Sequence, residues 1–175
     1  YIESFEFLIN NKNYNYWFLF IIIIIPSLLI FTYTLKYALS NKQTFELTYD
    51  NFEEKFYFLS SATVIICFFG FSNFVYREIF LIGLFPFIIK QRFLKDSLKF
   101  FEYFYFFLTF KLFISFPTTY IYMNKIVENL KLTVIFKYML DFYIVSLVGS
   151  LFIIQFYWFI DKFINQRKTN SSKNL

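Results

Sequence analysis

The sequence predicts an all-α fold, a polytopic membrane helix bundle, and three observations predict it. Hydrophobic residues make up 58% of the 175-residue chain, whereas charged residues make up only 17%. The charged residues fall mostly between long apolar stretches, as in membrane spans joined by polar loops. The longest stretch, residues 100–122, is almost wholly apolar or aromatic, and as a helix it would rise about 35 Å, enough to cross a bilayer core.

Four stretches of this kind predict four transmembrane helices. The first carries Tyr16 and Trp17 at its start, where aromatic side chains anchor a span at the membrane surface. Pro26 lies in its middle, where the missing backbone N–H favours a bend. The predicted spans are residues 16–35, 56–76, 100–122 and 138–160.

Residues 79–89 lie between the second and third spans and are apolar, but they are too few to cross a membrane alone. Gly83 and Pro86 disfavour a continuous stiff helix there. We therefore expect one short interfacial or re-entrant segment packed against the bundle. We expect residues 1–175 to form a single membrane domain that ends in a polar tail, residues 161–175.

The distribution of basic residues predicts the orientation of the chain. With four crossings, both termini lie on one side of the membrane together with ten Lys and Arg residues, and six lie on the other side. Loops on the inner side of a membrane carry the excess of positive charge. Both termini are therefore expected on that inner side, which is the matrix in a mitochondrion or the cytoplasm in a bacterium.

The choice of apolar residues indicates the kind of genome that encodes the chain. It has 31 Phe and 15 Tyr against 3 Gly and 3 Pro. Phe, Tyr, Ile, Lys and Asn are specified by codons rich in A and T, so the bias belongs first to the genome. An organelle genome is the leading interpretation, and an AT-rich bacterium or a plastid is the alternative. The expected location is the mitochondrial inner membrane, in a multi-pass arrangement.

Composition also excludes several classes of functional site. The chain has no histidine, which removes zinc sites, histidine-ligated haem and Ser-His-Asp chemistry. Its single cysteine, Cys67, lies in an apolar stretch and has no partner for a disulfide within the chain. The basic residues are scattered over several loops without an RNA-binding motif. We therefore predict no catalytic residue, no cofactor, no metal and no nucleic-acid partner, in a protein that is not an enzyme.

Four polar residues in or near the predicted spans are the candidates for a functional site: Lys111, Gln155, Asp141 and Glu102. A lysine near the bilayer centre costs about 3 kcal/mol to insert and usually faces a partner or water. Lys111 therefore carries a proton-transfer function, pairs structurally with a carboxylate or lipid phosphate, or extends its long side chain to the membrane surface. Gln155 is expected to hydrogen-bond across helices. Lys137 and Asp141, one turn apart, are a candidate ion pair.

The layout from residue 56 onward resembles TatC, the multispanning receptor of the twin-arginine protein translocase. In that family the second span ends in a Tyr-Gln-x-Trp type motif, and a short segment with proline follows. The third span ends in Phe-Pro, and a tyrosine opens the fourth span, with a Glu or Gln about four turns further on. The similar positions in this chain are Tyr76, Pro86, Pro117, Tyr138 and Gln155, together with Glu6 before the first span.

The resemblance to TatC implies a translocase component that receives a twin-arginine segment at Glu6 and Gln155. The last span, beginning with the stretch YMLDFYIVS at Tyr138, is also similar to the final helix of subunit 6 of mitochondrial NADH dehydrogenase, which implies a proton-pathway subunit. The leading expectation is a non-catalytic subunit of an energy-converting complex in the mitochondrial inner membrane, either the respiratory chain or ATP synthase. It would act by packing, binding membrane lipids and contacting other membrane subunits.

Overall fold

The computed structural model describes residues 16–69, 74–93, 99–123 and 131–172. These residues form helices and no strand, so the all-α prediction is confirmed for the part of the chain that is described. The helices, in chain order, are α1 (Tyr16–Ser40), α2 (Lys42–Phe45), α3 (Phe52–Phe69), α4 (Phe74–Ile82), α5 (Phe85–Phe93), α6 (Lys99–Met123) and α7 (Lys131–Ser172).

Two of the described helices contain a segment long and apolar enough to cross a membrane. The segments are Ile21–Ser40 in α1 and Met139–Asn165 in α7, and both overlap stretches that the sequence predicts as spans. Three hydroxyl groups of α1 bond within their own helix: Ser27 Oγ donates to the Ile23 carbonyl at 2.6 Å, Thr32 Oγ1 to the Leu28 carbonyl at 2.9 Å and Ser40 Oγ to the Lys36 carbonyl at 3.0 Å. These three side chains therefore expose no free hydroxyl donor to the surroundings of the helix.

The apolar segment 79–89 forms parts of α4 and α5, which are separated by a tight turn at Gly83 and Leu84. The Gly83 N–H donates to the Phe80 carbonyl at 3.1 Å and the Leu84 N–H to the Leu81 carbonyl at 3.1 Å. Both bonds span three residues, which is tighter than the α-helical pattern. Pro86 has no N–H to donate to the carbonyl four residues before it, so the regular helix is interrupted at this place.

Together, α4 and α5 run antiparallel to α3 along its described length. Residues later in α3 contact residues earlier in α5 and α4, as expected for an antiparallel pair. The contacts are Glu53 with Lys90, whose charged atoms lie 3.6 Å apart, Tyr57 with Phe87, whose ring centroids lie 4.4 Å apart, and Ser60 with Gly83. The segment 79–89, expected at the membrane surface or as a re-entrant loop, is therefore part of a broken helix that runs alongside α3.

Buried apolar residues hold this broken helix inside the bundle. Leu84 and Ile88 are fully buried, and Leu81 and Phe87 are almost fully buried. Phe87 also packs edge-on against Phe101 at the start of α6, with 6.0 Å between ring centroids. Burial on two sides, against α3 and α6, explains why this segment lies inside the bundle and not across its end.

The directions of α1 and α3 relative to α7 follow from side-chain contacts. α3 is antiparallel to α7, since Phe68 packs on Phe142 and Phe58 on Phe152. α1 is parallel to α7, because the Tyr143 hydroxyl donates to the Ile22 carbonyl near the start of α1 at 2.8 Å, whereas Lys42, just after α1, lies over the Trp158 ring. The start of α1 and the end of α7 consequently lie at opposite ends of the bundle.

Most of the described Lys and Arg side chains lie at one end of the helix bundle. Outside one buried network, every Lys or Arg whose side chain the structure describes lies near the end toward which α1 and α7 run, which we call the basic end. These residues are Lys36, Lys42, Lys55, Lys90, Arg92, Lys99 and Lys162. The short helix α2 packs into the bundle at the same end. Its Phe45 is fully buried against Phe101, with 5.1 Å between ring centroids.

Replacing two glycines by alanine tests the close approach of α3 to the broken helix. A Cβ at Gly83 would overlap Ser60 Oγ and lie 3.2 Å from Phe56 Cε1, whereas a Cβ at Gly149 in α7 would meet nothing within 4 Å. We expect Gly83→Ala to lower the free energy of unfolding by about 1–3 kcal/mol. Gly149→Ala should raise it by about 0.5–1 kcal/mol, because alanine favours helix. Chemical denaturation of the detergent-solubilised variants measures both values, and equal effects would contradict the contact.

Candidate functional site

The strongest candidate site is a group of charged side chains buried in the middle of the bundle. Lys111 Nζ lies 2.6 Å from Glu78 Oε1, 2.5 Å from Glu78 Oε2 and 2.9 Å from Asp141 Oδ1. Only 1% of Lys111 is exposed, with 4% of Glu78 and 6% of Asp141. One ammonium group therefore binds two carboxylates away from solvent.

A second lysine completes the group. Lys137 Nζ lies 4.0 Å from Glu78 Oε1, and Lys137 is 8% exposed. We call Glu78, Lys111, Lys137 and Asp141 the buried ion network. Its two cations and two carboxylates give it a formal charge of zero, which is the condition under which charges are tolerated at low dielectric.

Three helices position the network. Glu78 projects from α4, Lys111 from the middle of α6, and Lys137 and Asp141 from α7. Lys137 and Asp141 are four residues apart and therefore lie on the same face of α7. Removing one charged group would leave the network with an uncompensated buried charge, which is strongly destabilising.

Sequence reasoning identified part of this network. Lys111 and Asp141 were both candidates, and the structure brings them together. Structural pairing with a carboxylate is one of the expectations for Lys111, and the structure shows it. Asp141 is expected to pair with Lys137, but its close contact in the structure is Lys111. Glu102, the remaining acidic candidate, is exposed at the start of α6 and does not belong to the network.

Glu78 was missed as a site residue. With Arg77 it interrupts the apolar sequence between the predicted span 56–76 and the segment 79–89, so it lies outside every predicted span. The signal that could have found it is the length of residues 74–93, which approaches that of a complete span when the break at Gly83 is allowed. In that interpretation Glu78 lies well inside the segment.

A second polar cluster surrounds Gln155 near the basic end. Gln155 Nε2 donates to the Phe45 carbonyl at 3.2 Å, and 1% of Gln155 is exposed. The predicted hydrogen bonding of Gln155 across helices is present in this form. The Tyr57 hydroxyl faces Gln155 and Ser61, but among the described residues neither this hydroxyl nor Gln155 Oε1 makes a hydrogen bond of regular geometry. The cluster joins α7 to α2 and α3.

The loop before α3 is ordered by one carboxylate. Glu54 Oε2 accepts hydrogen bonds from the Thr48 N–H at 2.7 Å and the Tyr49 N–H at 3.0 Å. These bonds hold Tyr49 at a φ of 62°, a left-handed conformation that non-glycine residues rarely adopt. Burial raises the pKa of Glu54, but the hydrogen bonds from Thr48, Tyr49 and Asn51 outweigh it and hold the pKa below its ordinary value. Burial, followed by the charges of Glu54 and Glu46, raises the pKa of Tyr49 to about 12.

The TatC-like positions do not form one site in the described residues. Glu6 lies outside them, and Tyr76, Pro117 and Tyr138 are helical positions whose side chains are not described. Pro86 is exposed near the start of α5. Gln155 is buried inside the bundle, where it faces the chain itself. The resemblance to TatC stays a prediction.

The chemistry of the buried ion network is limited to charge pairing and proton exchange. Within the described part of the chain, no three His, Cys, Asp or Glu side chains come together as a metal site. A lysine and a carboxylate in contact can hold helices together, or can exchange a proton if one of them is neutral for part of the time. Both possibilities depend on Lys111 keeping its two carboxylate partners.

Lys111→Met tests whether the network holds the bundle together. The substitution leaves Glu78 and Asp141 with only Lys137, so we expect a loss of about 3–5 kcal/mol in the free energy of unfolding. Adding Asp141→Asn restores a neutral network and should recover part of that loss. Lys99→Met, at an exposed position, is the control and should change stability by less than about 0.5 kcal/mol. A Lys111 variant as stable as the Lys99 variant in detergent denaturation would contradict the structural role.

Comparison with known proteins leaves the site to be interpreted from its own residues. The chain matches no known family model, no curated protein and no solved structure.

Proposed function

We propose that this chain is a non-catalytic, integral membrane subunit of a larger complex, and that the buried ion network fixes the packing of its helices. One observation carries the proposal: the described residues have charged groups inside and large apolar groups outside. Lys111, Glu78 and Asp141 are buried, whereas Leu29, at 63%, is among the apolar residues that stand exposed. Lipid is the solvent that favours this arrangement.

The exposed apolar residues are too numerous for a chain in water. They occur on all of the longer described helices, and several expose more than 60% of their surface. Examples are Leu59 and Ile66 on α3, Tyr103 and Phe113 on α6, and Tyr157 on α7. Large apolar side chains exposed on so many helices favour contact with lipid or with other membrane proteins.

We further propose five membrane crossings in place of the four expected from the sequence. The support is the antiparallel alignment of α4 and α5 with α3, which makes the broken helix a crossing of its own. Non-helical backbone at membrane depth is tolerated where it is buried in protein, and Gly83 and Leu84 are buried. Five crossings separate the two termini, and the basic end is then the inner side of the membrane.

Two features support a packing role: the charges of the buried ion network are paired, and aromatic side chains are exposed on the outer faces of the helices. All four charged groups of the network lie close to a group of opposite charge. The aromatic side chains exposed on α6 and α7 offer large surfaces for neighbouring subunits and lipid. The A- and T-rich codon bias behind the 31 Phe and 15 Tyr supports the mitochondrial inner membrane as the location.

Cysteine labelling tests the number of crossings. Single cysteines are introduced before α1, as Lys12→Cys, and in the tail, as Lys168→Cys, both in a Cys67→Ser background. With five crossings, a membrane-impermeant maleimide applied to sealed vesicles should label only one of the two positions, and inverted vesicles should label the other. Labelling of both positions from the same side would contradict the topology and favour four crossings.

Native gel electrophoresis tests membership of a complex. In mildly solubilised membranes, we expect the chain to migrate in an assembly larger than itself. The reason is that neighbouring subunits would bury part of its exposed aromatic surface. Mass spectrometry of the band should identify subunits of a respiratory complex or ATP synthase. Migration alone would contradict the proposal, and migration with twin-arginine translocase components would favour the TatC-like alternative.

Proton transfer is a second candidate function, favoured by the pairing of Lys111 with two buried carboxylates. Titratable groups buried in a membrane are often functional. The variant carrying both Lys111→Met and Asp141→Asn separates the two functions. If it keeps the fold and assembly but loses a proton flux that the unchanged chain supports in liposomes, the network transfers protons. If the unchanged chain supports no flux above protein-free liposomes, its role is packing.

A further inference from the structure

Arg92, at the end of α5, has an unusual environment at the basic end of the bundle. Its guanidinium carbon lies 4.7 Å from the centre of the Tyr105 ring and 5.3 Å from the centre of the Phe106 ring, both on α6. The Phe93 ring lies 5.9 Å away. The guanidinium is therefore held beside aromatic faces, an arrangement that fixes its plane.

The donors of Arg92 are available for a ligand. Within the described part of the chain, neither a hydrogen bond nor an ion pair engages the guanidinium. Two carboxylates at this end are occupied elsewhere, since Glu53 pairs with Lys90 and Glu54 binds the loop before α3. Glu102, one turn before Phe106 on α6, is exposed and forms no ion pair with the guanidinium. Arg92 is partly exposed. A guanidinium carries five N–H donors in a fork that matches the oxygens of a phosphate.

An exposed aromatic stripe leads away from Arg92 along α6. Phe106 is 55% exposed, Phe110 49% and Phe113 75%. Their spacing of four and three residues places them on one face of the helix. Because Phe106 also lies beside the Arg92 guanidinium, the cation stands directly at one end of the apolar stripe. We call Phe106, Phe110 and Phe113 the aromatic stripe.

We propose that Arg92 and the aromatic stripe form a binding site for an anionic phospholipid, with the phosphate on Arg92 and an acyl chain along Phe106, Phe110 and Phe113. The cation would face the negatively charged headgroup of the phospholipid, and the aromatic stripe below it would face the hydrocarbon. The proposal rests on the proposed membrane location, and it adds the class of ligand and the residues that select it.

Photolabelling tests the site in the full-length chain. The chain is reconstituted into phosphatidylcholine liposomes that contain a diazirine-bearing phosphatidylglycerol, and labelled peptides are identified by mass spectrometry. We expect labels on the aromatic stripe, and Arg92→Gln should reduce them about fivefold, the change expected when one basic residue is lost near a membrane surface. Arg92→Lys keeps the charge but loses the planar fork, so its labelling should fall between the two.

Matched controls separate the possible outcomes. Lys162→Gln removes an exposed cation at the same end of the bundle but away from α6, and should leave labelling of the stripe unchanged. Equal labelling of the Arg92→Gln variant and the unchanged chain would overturn the site. Equal labelling by a diazirine-bearing phosphatidylcholine would overturn the anionic class. Labelling of other parts of the chain by both lipids, with none on the stripe, would overturn a lipid occupant.

Failure of the proposed membrane location gives a different result. In that case the chain is released from the liposomes by alkaline carbonate extraction, whatever residue occupies position 92. If it resists extraction and Arg92 does not affect labelling, the membrane location stands and the lipid site alone is wrong.

Discussion

A lysine buried in a bundle with an apolar exterior is stable only beside carboxylate groups, and the packing of the helices in this structure depends on that pairing. Lys111 is 1% exposed and contacts Glu78 and Asp141 at hydrogen-bonding distance. The two partners come from α4 and α7, so meeting the need of one side chain on α6 fixes the relative position of three helices. In lipid, where apolar contact between helices adds little to association, such polar contacts contribute much of the specificity.

The broken helix is what makes this pairing possible. Glu78 reaches Lys111 only because α4 runs through the bundle beside α3, and α4 can do so because the chain turns sharply at Gly83 and continues as α5. Pro86 removes the backbone donor that would continue the helix, and Gly83 has no Cβ to collide with Ser60. A helix break and a buried charge thus depend on each other: the break is tolerated where it is covered by protein, and the charge is tolerated where the fold supplies its partner.

The distribution of the other charges follows the same physical rule. The seven described cations outside the network lie near one end of the bundle, where they can reach water or lipid headgroups. Several acids at that end have local structural partners, such as Glu53 with Lys90 and Glu54 with the loop that contains Tyr49. Arg92 differs because its guanidinium lies beside aromatic rings and forms no ion pair within the described part of the chain. The middle of the bundle is electrically neutral, and the basic end is suited to an anionic surface, as the proposals on topology and lipid binding require.

The sequence by itself determined the all-α class, because apolar residues in runs of this length have few alternatives to helix. It also identified Lys111 and Asp141 as polar residues in apolar surroundings, and Gln155 as a residue that would bond across helices. It could not assign Glu78 to the network or residues 79–89 to a broken helix, since local composition around Gly83 and Pro86 is the same for a surface segment and for an interrupted crossing. Only the tertiary structure decided that these residues form a broken helix beside α3, because contacts of α4 and α5 with α3 and α6 connect residues distant in sequence. The same contacts decided which carboxylates Lys111 binds, since pairing between helices depends on their direction and register, which the order of residues along one helix does not specify.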